Sequence, residues 1–149
     1  MKKKYLSITI LGEEIIPGQK NVLNLDIARL HTYTKPDIPV IVERAKQDGP
    51  SLLLISGIHG NELNGVEIIR QMLAQKFTKP AKGMVISIPA LNIFGFINQT
   101  REFPDGKDLN RMFPGSKKGS LASIFAHHLM NEIIPHIDYC IDYHTGGTY

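Results

Sequence analysis

Residues 49–62 read Gly-Pro-Ser-Leu-Leu-Leu-Ile-Ser-Gly-Ile-His-Gly-Asn-Glu, and this stretch decides the fold. Leu52 to Ile55 is an unbroken apolar run between Gly49-Pro50 and Gly57, the pattern of a short strand buried on both faces. Burial on both faces requires helices above and below the sheet. After Glu62 the apolar period lengthens to that of a helix: Val66, Ile69, Leu73 and Phe77 share one side, with Glu67, Arg70, Gln71 and Gln75 between them, which predicts a helix over 64–75. His59 therefore stands just past a strand end and Glu62 at a helix start, where open α/β sheets gather ligands. Gly57 and Gly60 let the backbone turn sharply and approach whatever is bound. An imidazole nitrogen with a carboxylate oxygen suits zinc, which in catalytic sites takes three protein ligands and leaves a fourth position to water. On its own, His-x-x-Glu fits equally well a loop histidine beside a first-turn glutamate that favours the positive end of a helix.

At 149 residues the chain is long enough for one domain with its own core, and we treat 1–149 as a single unit. A hydrophobic content of 42% and a charged content of 21% mark it as an ordinary globular protein. The net charge is only +3, and basic residues cluster at Lys2-Lys3-Lys4 and Lys117-Lys118 without interleaved aromatics, so nucleic acid is set aside as a partner. No apolar stretch is long enough to cross a membrane. The run Tyr5-Leu-Ser-Ile-Thr-Ile-Leu11 after the lysines is too short for a secretory leader, and Glu13-Glu14 follow it without a cleavage site. The lone Cys140 lies in an apolar strand pattern and is expected to be buried and inert, which fits a reducing, cytoplasmic setting.

Taken in order, Tyr5 to Leu11 alternates as a strand, and Asn21 to Leu30 is a second. Pro36 and Pro39 frame Ile38 to Val42, a third strand expected near a sheet edge because proline cannot donate to a ladder. Gly83 to Pro89 is another buried strand, and the intervening helix predicts that it runs parallel to Leu52–Ile55. From Ala90 to Gly119 periodicity fades while Asn, Gly, Pro and charges accumulate, the mark of a functional connection without regular elements. Helical spacing returns after Ser120, with Leu121, Ile124, Phe125, His128, Leu129 and Ile133 on one face before Pro135. Ile137 to Tyr143 is the last strand, and His144-Thr145-Gly146-Gly147 follows it at once.

His144 thus repeats the setting of His59, at a strand end beside glycines, so two histidines and a glutamate can converge. His31, His127, His128 and His136 lack that setting and are read as surface or core residues. With Pro89-Ala-Leu-Asn92, Thr100-Arg101, Asp108-Leu-Asn-Arg111 and Asp142-Tyr-His144, the motif Gly57-Ile-His-Gly-Asn-Glu62 resembles the zinc carboxypeptidase-like superfamily. The details resemble most its succinylglutamate desuccinylase and aspartoacylase branch, in order over nearly the whole chain after Gly49. The resemblance implies a three-layer α/β/α fold with a mixed sheet and one Zn2+ per chain held by His59, Glu62 and His144. It also implies that Asp108 orients the His59 imidazole, that Arg101 polarises the scissile carbonyl, and that Asn110 and Arg111 grip a substrate carboxylate.

The implied reaction is hydrolysis of the amide bond of an N-acyl amino acid, or similar small carboxylate, by metal-activated water. Two alternatives share the same residues: a zinc metallocarboxypeptidase acting on peptides, and a zinc-binding module without catalysis. Relatives of this kind use a later glutamate as general base and acid, and Glu67, Glu102 and Glu132 have no motif context for that role. The chain is therefore expected to be the N-terminal, metal-binding part of a longer enzyme, nearly inactive alone. Its last strand is then expected to leave an open sheet edge through which the chain self-associates.

Overall fold

The computed structural model describes residues 7–25 and 37–146. The expected N-terminal lysine cluster, the start of the first strand at Tyr5, the extension of the second to Leu30, Pro36, His31 and Gly147 lie outside the described residues. The strand predicted over Leu52–Ile55 is present as Ser51–Ser56 and becomes the axis of the sheet. In chain order the elements are β1 (Ile8–Ile10), β2 (Glu13–Ile15), β3 (Lys20–Asn24), β4 (Pro39–Arg44), β5 (Ser51–Ser56), α1 (Leu63–Ala74), β6 (Met84–Ile88), α2 (Ile93–Asn98), α3 (Leu121–Glu132) and β7 (Tyr139–Tyr143). Short 3-10 turns occupy Leu109–Arg111 and Ile134–His136.

Five strands form one mixed sheet in the order β3-β4-β6-β5-β7, while β1 and β2 pair as a separate antiparallel hairpin. β5 runs parallel to β6, as the α1 crossover requires, and parallel to β7 on its other side, with Leu53 opposite Ile86 and Cys140. β4 is antiparallel to both β3 and β6. The side-chain period of two sends Leu53 and Ile55 to one face, where they join Ile86, Ile88, Phe125, Ala126 and Leu129 in the main core with Ile10 and Ile15 of the hairpin. Leu54 and Ser56 point to the opposite face, which α1 covers so closely that a Cβ on Gly65 would come within 2.8 Å of Ser56 Cβ and 2.6 Å of Tyr143 O. Helices on both faces of a mixed sheet give the three-layer architecture expected from the sequence. No helix among the described residues is long and apolar enough to cross a membrane.

One expectation holds in a particular form: β4 is second in the sheet, near an edge but paired on both sides, with Pro39 at its first position, the β6 ladder starting only at Ile41, and the Ile38 N–H taken by Asn24 Oδ1 at 2.9 Å. The proline's missing donor therefore falls where no ladder bond is needed. Several other expectations are corrected. The stretch 90–119 is not without elements, since it holds α2 and the 3-10 turn at Leu109. Six residues with a glycine among them are too few to print a helical period. The buried face of α3 is turned by about one residue: Ala122, Phe125, Ala126 and Leu129 are buried, whereas Leu121, Ile124 and His128 are only partly covered. Alanines at 122 and 126 let the helix backbone sit close to the core, and this outweighs the larger side chains beside them. Phe77 is 69% exposed, because the chain leaves the helical path at Lys76, whose φ is 61°.

Cys140 is exposed rather than buried. Among the described residues β7 pairs with β5 alone and forms the sheet edge, with Tyr139 65% and Ile141 43% exposed. An apolar strand pattern signals burial only where both flanks and both faces are covered, and β7 has one strand neighbour.

Candidate metal centre

The site forms at the carboxyl ends of β5 and β7. Past β5, Gly57 adopts φ 61°, and the ends of β5 and β6 are stitched together by Leu91 N–H to Ser56 O at 2.9 Å and Asn92 N–H to Gly57 O at 2.8 Å. His59 is 2% exposed and Glu62 5%. Gly60 packs closely within the protein itself. It approaches α2, where a Cβ on it would lie 1.8 Å from Gly95 C. Glu62 is the N-cap of α1, yet its side chain makes no capping bond. Its oxygens turn instead to His59 Nδ1 at 2.8 Å and His144 Nδ1 at 3.1 Å, and one accepts the Thr145 N–H at 2.9 Å. Glu62 thus stands at the helix start, as the plainer reading of His-x-x-Glu also has it, but its carboxylate is engaged by the two imidazoles.

One ligand atom each from His59, Glu62 and His144 lie within 4.8 Å of one another. Both imidazoles present Nδ1 to the shared centre, and each anchors its other nitrogen on a carboxylate. His59 Nε2 is 3.0 Å from Asp108 Oδ1, and His144 Nε2 is 2.7 Å from Asp142 Oδ2. Outer carboxylates of this kind fix the tautomer and ring orientation of a metal-binding histidine and raise its basicity. The donor set therefore fits zinc, which in catalytic sites takes three protein ligands of these types, imidazole nitrogen and carboxylate oxygen, and keeps a fourth position for water.

Asp108 is a junction. Its Oδ2 lies 3.1 Å from Arg101 Nη2 and 3.7 Å from Arg111 Nε, and its Oδ1 also accepts the Asn110 N–H at 3.1 Å. Arg101 Nη1 is 3.6 Å from Glu62 Oε1, which brings its guanidinium to the rim of the cluster. Arg111, 82% exposed along its side chain, and the exposed Asn110 stand farther out on the turn. Burial acts to raise the Glu62 pKa, but the Thr145 amide and both histidines outweigh it and hold the carboxyl below its ordinary value. The same balance, with His59 and Arg101 as partners, lowers Asp108. Asp142 is pushed the other way by burial, which His144 only partly opposes.

The structure adds residues that motif reading left without roles. Asp142 stands two positions before His144, a spacing that in a strand puts both side chains on one face, and that could have signalled the contact. Asn92 is fully buried: its Oδ1 caps α2 through the Gly95 N–H, and its Nδ2 donates to Glu102 O at 3.0 Å and Arg101 O at 3.4 Å. It thereby ties the backbone carrying Arg101 to the end of β6. Nothing local in the sequence marks that role.

Residues 48–149 match the profile of the succinylglutamate desuccinylase/aspartoacylase catalytic domain. The chain belongs to this family. Within it, the chain is 33% identical over 111 residues to N-alpha-acetyl-L-2,4-diaminobutyric acid deacetylase of Halomonas elongata, covering 74% of the chain and 32% of that protein. It is 31% identical over 117 residues to succinylglutamate desuccinylase of Pseudomonas aeruginosa, covering 75% of the chain and 33% of the relative. An aspartoacylase family protein from Mesorhizobium loti superposes with a TM-score of 0.75 at 32% identity, covering 87% of this chain and 41% of that one. The chain thus spans about a third of the length of the curated relatives it matches.

Proposed function

We propose that this chain carries the metal-binding core of a zinc-dependent deacylase that cleaves the amide bond of an N-acyl amino acid or a similar small carboxylate. The observation that carries the proposal is the convergence of one ligand atom each from His59, Glu62 and His144 within 4.8 Å, with each imidazole braced by a further carboxylate. Zinc held there supplies a Lewis acid and a water made nucleophilic near neutral pH. The chain's own residues do the rest of the positioning. Arg101, at the rim and steered by Asp108, faces where a scissile carbonyl oxygen would develop charge, and a placed donor of that kind is worth about 3 kcal/mol. Arg111 and Asn110, outermost and exposed, are placed to grip the substrate carboxylate, and the planar guanidinium fork suits that grip.

Proton transfer is not assigned to Glu67 or Glu132. Glu67 is bound by Arg70 and Gln71 on the outside of α1, and Glu132 by His128 on α3. On this reading the chain binds metal while adding little turnover by itself. The test pairs zinc titration against a competing chelator with hydrolysis of a panel of N-acetyl and N-succinyl amino acids, with and without chelator. One zinc per chain is expected, with binding lost in His59→Ala and His144→Ala. Zinc retained undiminished in His144→Ala would refute the assignment, and in a full-length protein carrying this chain, turnover of peptides but not of acyl amino acids would refute the substrate class.

A further inference from the structure

A second concave site lies at the other end of the sheet from the metal centre, where Arg44 of β4 pairs with Met84 at the start of β6. Between β3, the end of β4 and the segment after α1 is a cleft of about 600 Å3. Its charged lining is Lys20, Arg44, Lys46, Lys76 and Lys79 against a single acid, Glu43. That acid is already engaged: its carboxylate accepts from the Thr78 hydroxyl and faces Lys20 Nζ at 3.8 Å. Arg44 is also committed, donating to Ile15 O at 2.7 Å and standing 3.9 Å from Asp48. Lys46, Lys76 and Lys79 meet no carboxylate at ion-pair distance among the described residues.

Three ammonium groups without a carboxylate partner among the described residues therefore line one cleft. The backbone holds them there. Lys76 follows α1 with φ 61°, a left-handed position that glycine or asparagine fills with less strain. Gly18, at φ 84°, seats the stem of Lys46, since a Cβ on it would lie 2.8 Å from Lys46 Cγ. Both walls are fixed by Gly18 N–H to Arg44 O at 2.9 Å and Gly83 N–H to Gln47 O at 2.8 Å. A strained backbone that presents a side chain to a cleft points to use of that side chain.

We propose that this cleft binds a small polyanion carrying adjacent phosphoryl groups. The volume lies within the range of small-molecule sites. Ammonium groups recognise phosphate as point charges, whereas a carboxylate ligand would favour a free guanidinium fork, and Arg44 is not free. Ala45, Pro80, Ala81 and the lysine stems add an apolar wall that can take an organic body attached to the phosphates.

The test is titration of the full chain with inorganic tripolyphosphate and, separately, with adenosine triphosphate, both with chelator present, followed by amide NMR. Saturable shifts are expected at Gln19, Lys46, Lys76 and Lys79, weakening as salt is raised. Lys46→Gln with Lys79→Gln lowers affinity about tenfold or more. Lys76→Gly also lowers affinity while raising Tm, which separates binding from folding. Tighter binding of the nucleotide assigns the apolar wall to its base, and equal affinity assigns the site to the phosphates alone. Shifts confined to Arg101 and Arg111, shifts that never saturate, or an unchanged affinity in the double variant would overturn the proposal.

Discussion

Gly60→Ala tests how the metal centre is held. The added methyl carbon falls 1.8 Å from Gly95 C and 2.2 Å from Phe96 N, both backbone atoms of α2. Backbone cannot rotate aside, so the His59 loop and α2 must part by about 1.5 Å before the contact becomes tolerable. α2 resists this movement because Asn92 caps it and the Thr100 N–H closes on Gly95 O at 2.9 Å. Overpacking of this kind costs ~1–3 kcal/mol, and rigid backbone on both sides places this case near the top, at about 3 kcal/mol. Metal sites tolerate only about 0.2 Å in ligand distance, so moving His59 also lowers zinc affinity, by about tenfold or more. Urea unfolding and chelator competition measure the two effects. Gly146→Ala is the control, because no heavy atom lies within 4 Å of its new carbon, and it should stay within about 0.5 kcal/mol. Gly60→Ala with the stability and zinc affinity of the parent would show that the loop–α2 contact does not hold the site.

Asp142→Asn removes the carboxylate behind His144 and should weaken zinc binding by about 10- to 100-fold at little cost in stability; unchanged affinity would exclude an orienting role. Asn92→Ala removes a helix cap and two part-buried bonds to the Arg101 and Glu102 carbonyls, so chemical denaturation should show a loss of about 2–3 kcal/mol, and a loss below about 1 kcal/mol would contradict it. Two Arg70 hydrogen bonds and one from Gln71 hold the Glu67 carboxyl at about 2, against 4.5 unperturbed. Because its folded pKa is lowered, its stabilisation is whole above pH 4.5 and drains as pH falls toward about 2; Glu67→Gln should flatten the stability profile in that window, and identical profiles would refute the pairing. The exposed edge of β7 predicts association that rises with concentration in sedimentation velocity and falls in Ile141→Lys, and a parent chain that stays monomeric would end that expectation.

How much of this was legible beforehand follows from the range over which each signal acts. Leu52–Ile55 and Val66-Ile69-Leu73 write their periods into a few consecutive residues, so β5, α1 and their parallel return through β6 could be read directly. α2 could not, because six residues carry less than two turns of signal. Sheet order is not local: Pro39 pointed to a place near an edge, where β4 lies, but not to the β6 ladder on its other side, whose register spares the missing N–H. Cys140 shows the same limit, since its apolar neighbours could not reveal that β7 has one strand partner among the described residues.

The sequence by itself supplied the candidate donors, because His59 and His144 follow recognisable strand ends and Glu62 opens a helix, and the parallel pairing of β5 with β7 brings them to one end of the sheet. Only the tertiary structure decided how the donors are aimed: Nδ1 of both rings inward, Nε2 of each on Asp108 and Asp142, and the His59 loop locked against α2 through Gly60. Identity and spacing of the donors are properties of the chain, but the direction of an imidazole is set by contacts between distant segments, 49 residues apart for His59 and Asp108 and 82 for His144 and Glu62, and those exist only once the layers have packed.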